Sequence, residues 1–405
     1  MKRNRIAAID VGATKVCTIM ADTNGTGALR VLGVGVAESQ GIEKNAMVNT
    51  RNAAGAISKS VRKAEKMAGY RFKSAFVGVS DPDMSSLNNH GIISISREDQ
   101  LVHAADRNRA LEVARSIEVP ADQELLHLIP RSFTLDEQDN IKDPVGMTGF
   151  RLGVETHIVT TAATSVQNLT RCIKHLGISI DGLVLGSLSS AEAVLTEDER
   201  QDGVAVADIG GAVTDIAVFK DGSVCHTSTL PVGGYHITND IAVGLSIPFG
   251  VAEEMKRKHG NALLPGETDD SDLTLTGSGY AILYRDLCEI INARVEELLR
   301  LILFRIPRTD SSHGVSSGLV LTGGCSNLAG IAELGRRVTG LPVRVGTPIV
   351  PDGHDSGLRR PEYATGFGLV CWKVRNQDVP DLGGQRESGW RILPPRLLSY
   401  FGSRN

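Results

Sequence analysis

One pattern occurs twice in this chain and limits what it can fold into. An apolar run, an aspartate, a glycine-containing turn and a second apolar run appear as Ile9-Asp10-Val11-Gly12-Ala13-Thr14-Lys15-Val16. They recur 198 positions later as Val206-Ala207-Asp208-Ile209-Gly210-Gly211-Ala212-Val213-Thr214-Asp215. Each unit reads as two strands joined by a tight turn, and the small residues Gly12, Ala13, Gly210 and Gly211 let backbone N–H groups approach an anion. Thr14 and Lys15 add a hydroxyl and a positive charge for a phosphate. Asp10 and Asp208, each at a strand end, are placed to converge on one Mg2+ through water. Taken alone, the first unit is equally compatible with a plain hairpin. The repetition points to a duplicated fold that clamps one phosphate chain from both sides.

The rest of the chain fits that frame. Strand-like runs at 6–9, 16–20, 75–79, 204–207, 216–219, 319–321 and 343–345 alternate with helical patterns at 52–67 and 288–306, which predicts an α/β protein. In 405 residues, 43 Lys+Arg against 47 Asp+Glu leave a formal net charge of −4. That balance excludes a generic nucleic-acid binder, and no uncharged apolar stretch is long enough to span a bilayer. The N-terminus does not read as a signal peptide. Six cysteines without a CxxC pair argue against a zinc site and fit a reducing compartment. Pro82, Pro120, Pro130 and Pro144 mark a mixed region, 82–160, as an inserted subdomain between a first domain part (1–81) and its return (161–200). A second domain follows at 201–371, with a subdomain at about 220–310. Residues 261–278 read as a surface loop.

Three further motifs bear on a nucleotide. Leu319-Val320-Leu321-Thr322-Gly323-Gly324 runs into a predicted helix at 328–338, and Gly323 and Gly324 leave room for a flat adenine or ribose, or else form a simple strand-to-helix turn. Gly233 and Gly234 precede a helix at 237–243 whose N-terminus suits a phosphate. Glu253 and Lys256 are spaced to hydrogen-bond a ribose or to form a surface i, i+3 ion pair. There is no GxxxxGK[ST] or HExxH motif.

The end of the chain has a different character. Residues 372–388 read as a linker, and 389–405 as an amphipathic tail: Trp390, Ile392, Leu393, Leu397, Leu398, Tyr400 and Phe401 are seven apolar side chains within thirteen positions. Aromatic side chains suit a bilayer interface. Pro394-Pro395 splits the tail, so a helix would begin near Pro395 and put Leu397, Leu398 and Phe401 on one face.

These motifs resemble the superfamily of actin, heat-shock chaperone ATPases and sugar kinases, and within it the FtsA family of bacterial cell-division proteins. The likeness rests on the two Asp-x-Gly turns, Thr322-Gly323-Gly324, His127-Leu128-Ile129-Pro130, Lys142-Asp143-Pro144-Val145-Gly146, Asp240-Ile241-Ala242 and the tail. It implies a duplicated actin-like ATPase fold binding ATP and Mg2+. The inserted subdomain would make filament contacts with further copies of the chain, and the subdomain at 220–310 would meet the tubulin-like division GTPase. The tail would engage anionic inner-leaflet lipids at the cytoplasmic face of the membrane, at the division site, among other division proteins. The second turn lacks the family's third glycine and hydroxyl, and Ser187 falls where actin and chaperone relatives place a Gln or Glu that positions water. The implied activity is at most a slow ATPase. Two other readings share the fold: an actin-like pilus-assembly ATP-binding protein, and a small-molecule kinase with Asp208 or Asp215 as base.

Overall fold

A computed structural model describes residues 4–23, 29–43, 46–266, 274–277, 279–307, 314–351 and 356–375. The chain begins with a meander, β1 (Asn4–Val11), β2 (Lys15–Thr23) and β3 (Leu29–Glu38), then a small hairpin, β4 (Ile42–Glu43) and β5 (Ala46–Met47). Helix α1 (Thr50–Ala68) returns the chain to β6 (Ser74–Val79). An excursion follows through β7 (Ser85–Ser94), α2 (Ala104–Arg115), β8 (Gln123–Leu135), β9 (Gln138–Ile141) and β10 (Arg151–Ala162). Then come α3 (Ala163–His175), β11 (Ser179–Leu185), α4 (Gly186–Val194) and α5 (Glu197–Asp202). The second half runs β12 (Val204–Ile209), β13 (Thr214–Lys220), β14 (Ser223–Leu230), α6 (Gly234–Gly244), α7 (Phe249–His259), β15 (Thr274–Gly277), β16 (Tyr280–Leu283) and α8 (Tyr284–Arg305). It closes with β17 (Leu319–Thr322), α9 (Ile331–Thr339), β18 (Val343–Val345) and α10 (Ala364–Arg375).

The duplication is a matter of sheet topology. One five-stranded sheet has the order β3-β2-β1-β6-β11 and the other β14-β13-β12-β17-β18. In each, three antiparallel strands are continued by two parallel ones. Their central strands carry unbroken apolar runs, 6–9 in β1 and 204–207 in β12, because both faces are covered. Ile6 and Ala8 of β1 enter the same core as Val204 and Val206 of β12, whereas Ala7 and Ile9 pack beneath α1 and Ala205 and Ala207 beneath the second domain's helices. That shared central core also holds α4 and α10, so five layers stack in the order helices, sheet, α4 with α10, sheet, helices.

The excursion forms its own four-stranded sheet, β7-β10-β8-β9, with α2 closing a separate small core around Phe133 and Leu152. It also reaches the second domain. The Ser86 hydroxyl and the Asn88 amide donate to the carbonyls of Thr227 and Cys225 on β14, at 2.7 and 3.1 Å, and so occupy acceptors of an edge strand.

Three sequence expectations need correction. The loop at 261–278 contains β15, which pairs with β16 and buries Leu275 and Ile282 in the second domain's core. The helix expected at 328–338 starts at Ile331, because Gly330 takes a left-handed φ of 75° and a short 3-10 turn occupies Gly324–Asn327. The linker does not begin at 372. Helix α10 continues to Arg375, and Trp372 is a core residue with its ring 5.6 Å from that of His127. Trp390 and the other tail residues lie outside the described residues. Among the described residues no helix is long and apolar enough to cross a membrane.

Candidate functional site

The two Asp-x-Gly turns are built alike. In the first, Gly12 N–H donates to the Lys15 carbonyl at 3.0 Å; in the second, Gly210 N–H donates to that of Val213 at 2.9 Å. Asp10 and Asp208 hold the same register position in their hairpins, paired with Cys17 and Asp215 respectively. The turns also touch. The Tyr235 hydroxyl donates to the Ala13 carbonyl at 3.1 Å, Ala13 is buried with Ala212 and Val213, and a Cβ added at Gly211 would lie 2.5 Å from the Thr14 methyl. The two halves of the molecule therefore meet at their glycine turns.

The Gly233-Gly234 segment supports this contact from behind. Gly234 and Tyr235 N–H donate to the carbonyls of Gly210 and Gly211 at 2.9 and 2.8 Å, and Gly233 N–H donates to His236 Nδ1 at 3.2 Å. The sequence offered this helix N-terminus to a phosphate. In the structure the Gly234 and Tyr235 N–H groups hold the second turn in place instead, and that of Gly233 is taken by His236. The third glycine motif meets the second directly: Gly323 has φ 84°, and a Cβ there would stand 2.3 Å from Asp208 Oδ1. Only glycine satisfies both demands. Gly324 is less confined, its nearest neighbour being the Glu362 Cβ at 3.8 Å from an added Cβ.

Glu253 and Lys256 form the ion pair, at 2.6 Å, but not an isolated one. Lys256 Nζ also donates to the Gly234 carbonyl at 3.1 Å and to Thr238 Oγ1 at 2.7 Å, and it lies beside Gly234 together with Cys325. Lys15 lies near the carboxyls of both turns, since its charge acts on Asp10 and Asp208. Its ammonium donates to the Glu362 carbonyl and sits 5.4 Å from the Tyr363 ring.

Two buried carboxyls, Asp208 and Asp215, and the half-buried Asp10 dominate the electrostatics. Burial pushes Asp10 up to about 6, with Lys15 opposing and Asp208 adding to the shift. Asp208 is raised by burial too, against hydrogen bonds from Thr365 (2.7 Å) and Ser190 and the charge of Lys15. Asp215 is pushed up to about 7 by burial, although the hydroxyls of Ser80 and Thr229 donate to it, the latter at 2.7 Å. Asp10 and Asp208 both raise it further. Carboxylates this deep are costly to ionise without a cation. Among the described residues no three His, Cys, Asp or Glu side chains converge closely enough to hold a metal ion.

Thr365, Ser190, Ser80 and Thr229 belong to no motif recognisable in the sequence. The one signal near them is Gly366-Phe367-Gly368 inside α10, where glycine in a helix marks a close approach. An added Cβ at Gly366 would contact Cys17 and Asp10, and one at Gly368 would reach the Ser189 carbonyl at 1.8 Å. Ser187 is fully buried in the first turn of α4, and its hydroxyl has no hydrogen-bond partner among the described residues.

A family model described as "Cell division protein FtsA" matches residues 205–368, and one described as "SHS2 domain inserted in FTSA" matches residues 82–160. The Cell division protein FtsA of Pseudomonas aeruginosa is 36% identical over 376 residues, covering 92% of this chain and 90% of that protein. The chain belongs to the FtsA family of cell-division proteins. The relative from Bacillus subtilis is 33% identical, with 94% of this chain and 86% of that protein covered; the one from Escherichia coli K12 is 31% identical, with 96% and 94% covered. Solved structures show the fold more widely. A PilM-PilN type IV pilus biogenesis complex superposes with a TM-score of 0.65 at 16% identity, covering 92% of this chain and 99% of that one. MreB5 of Spiroplasma citri bound to ADP gives 0.53 at 12% identity, covering 91% and 96%. The fold of this FtsA-family chain is thus actin-like with an FtsA-type insert, and it is an actin-like cell-division protein. The pilus and kinase readings share only the fold.

Proposed function

We propose that this chain is an ATP-binding, polymerising adaptor that tethers the tubulin-like division GTPase to the cytoplasmic face of the membrane at the division site. The observation that carries the reading is the contact of two glycine turns, one from each half of the molecule, beside the carboxyls of Asp10, Asp208 and Asp215, all raised by burial. A nucleotide phosphate chain would lie along the turns of residues 12–15 and 210–213, with Gly323 and Gly324 flanking the nucleoside and Glu253 and Lys256 within reach of the ribose. Asp10 and Asp208 would hold Mg2+ through water, and the ion would offset the burial that raises both carboxyls. Mg2+ neutralises phosphate charge; the chain's own part is to bring its two halves together around the nucleotide and to exclude water from the carboxyls.

Asp215, held by Ser80 and Thr229, is the candidate base for slow hydrolysis, since a carboxyl near 7 exchanges a proton at neutral pH. The inserted subdomain would supply filament contacts and the 220–310 region the contact with the GTPase. One short amphipathic tail binds a bilayer reversibly, whereas a filament presents many tails at once and binds firmly. Co-sedimentation with anionic liposomes tests this arrangement, using the full chain and a form ending at Gln385, each with and without Mg-ATP. The full chain alone is expected to sediment, and more so with nucleotide. Equal behaviour of the two forms would rule out the tail as the anchor.

A further inference from the structure

The outer layer of the first domain carries a charge that the rest of the chain does not. Helices α1 and α3 lie on the outward face of the first sheet, where Ala53, Ile57, Val61, Cys172 and Ile173 share one core. Residues 50–73 and 163–175 hold nine Lys and Arg against the single Glu65, a net of +8; the remaining chain holds thirty-four against forty-six, a net of −12. All nine cations are exposed, and none pairs with an acidic side chain among the described residues. The positive charge is therefore neither scattered nor internally neutralised. Val48, just before α1, and Met67, in its last turn, are each 57% exposed at the two ends of this basic helix.

We infer that the α1–α3 face is a second membrane contact, lying against an anionic lipid surface and fixing how the body of the protein is turned relative to the bilayer. The choice of occupant rests on the proposed reading of residues 389–405 as a membrane tail. Cations rimming aliphatic side chains are the composition of an interfacial surface. A single-stranded nucleic acid would call for exposed aromatic side chains to stack on its bases; of the rings beside this helix, Tyr70 is covered by the Arg5 guanidinium at 4.0 Å and Phe72 packs against the first domain's outer core. Thirteen residues separate Arg375, the end of α10, from Gly389, which bounds the reach of the tail at roughly 40 Å. A tail alone leaves the body free to rotate. A basic face restricts that rotation, because each cation near an anionic leaflet favours binding by about fivefold.

The test compares four full-length proteins: the unmodified chain; a variant with Lys59, Arg62, Lys66, Arg171 and Lys174 all replaced by Gln; one with Lys59→Arg, Arg62→Lys, Lys66→Arg, Arg171→Lys and Lys174→Arg; and Trp390→Glu in the tail. Each is titrated with vesicles of phosphatidylglycerol in phosphatidylcholine, and of phosphatidylcholine alone, at low and high salt, with Mg-ATP affinity and melting temperature as controls of folding. The Gln variant is expected to lose at least tenfold in binding to the anionic vesicles at low salt, with folding and nucleotide binding unchanged, while the charge-preserving variant binds as the unmodified chain does. Trp390→Glu is expected to weaken binding at both salt concentrations. If the Gln variant binds as the unmodified chain does while Trp390→Glu fails, the basic face is no lipid contact and the tail reading survives. Failure of the unmodified chain to bind any vesicle overturns both. A duplex oligonucleotide bound more tightly than the anionic vesicles, and lost in the Gln variant, would reassign the face to nucleic acid.

Discussion

Asp215 sits between two hydroxyl donors and still titrates near neutrality, because burial outweighs them. Its folded-state pKa of about 7 lies above the ordinary aspartate value of 3.8, so its contribution to stability is fully present below about pH 4 and is lost as the pH rises through 7. Asp10, at about 6, acts in the same direction. Asp215→Asn keeps an acceptor for Thr229 and removes the charge. In nucleotide-free protein it should raise the melting temperature by several degrees at pH 8 and change it little at pH 4, as calorimetry would show; a lower melting temperature at pH 8 would contradict the assignment. Thr365 bears on the ionised form of Asp208. Hydrogen bonds to charged groups contribute about 1.5–3 kcal/mol, so Thr365→Val should weaken Mg-nucleotide binding roughly ten- to a hundredfold by titration while leaving the fold intact. These hydroxyls were illegible in the sequence, because a lone Ser or Thr in an apolar run has no spacing to betray it. Asp10 and Asp208 were legible because the same turn is written twice.

Helices α4 and α10 lie between the two sheets, and their closeness is set by backbone rather than by side chains. Gly368 faces the Ser189 carbonyl with room for no more than hydrogen, and the Ser189 hydroxyl donates to the Thr365 carbonyl at 2.7 Å. Gly368→Ala should force the helices apart and lower stability by about 1–3 kcal/mol. Gly55→Ala in α1, where nothing stands within 4 Å of the new methyl, should raise it by about 0.5–1 kcal/mol. Urea unfolding of the two variants checks both signs. Elements with sustained periodicity, such as α1 and α8, were readable because apolar residues recur at each turn of the helix. The hairpin of β15 and β16 was not, since two four-residue strands with one buried apolar side chain each give no period to count. Trp372 was misplaced for a different reason. Composition alone cannot distinguish the last turn of a core helix from the first residues of a linker.

At the scale of the molecule, the duplicated sheet order is the consequence of the twice-written turn, and the proposed nucleotide is the part that would lock the two copies together. The core shared by both halves, with α4 and α10 inside it, is where they join by packing; the glycine turns are a second contact, at the candidate site. Opening and closing of the halves would then be governed by what occupies the turns. The FtsA family relationship covers nearly the whole chain, whereas the nucleotide, the metal and the tail remain for experiment. The most direct measurement is calorimetric titration of Mg-ATP into the full chain and into Gly12→Trp, whose added side chain starts from a Cβ that meets only the Lys15 carbonyl at 3.1 Å and would fill the space beside the first turn. The account predicts saturable binding by the unmodified chain, loss of that binding in the variant, and a melting temperature of the variant close to that of the parent. Unchanged affinity in Gly12→Trp, or no binding by the unmodified chain, would contradict it.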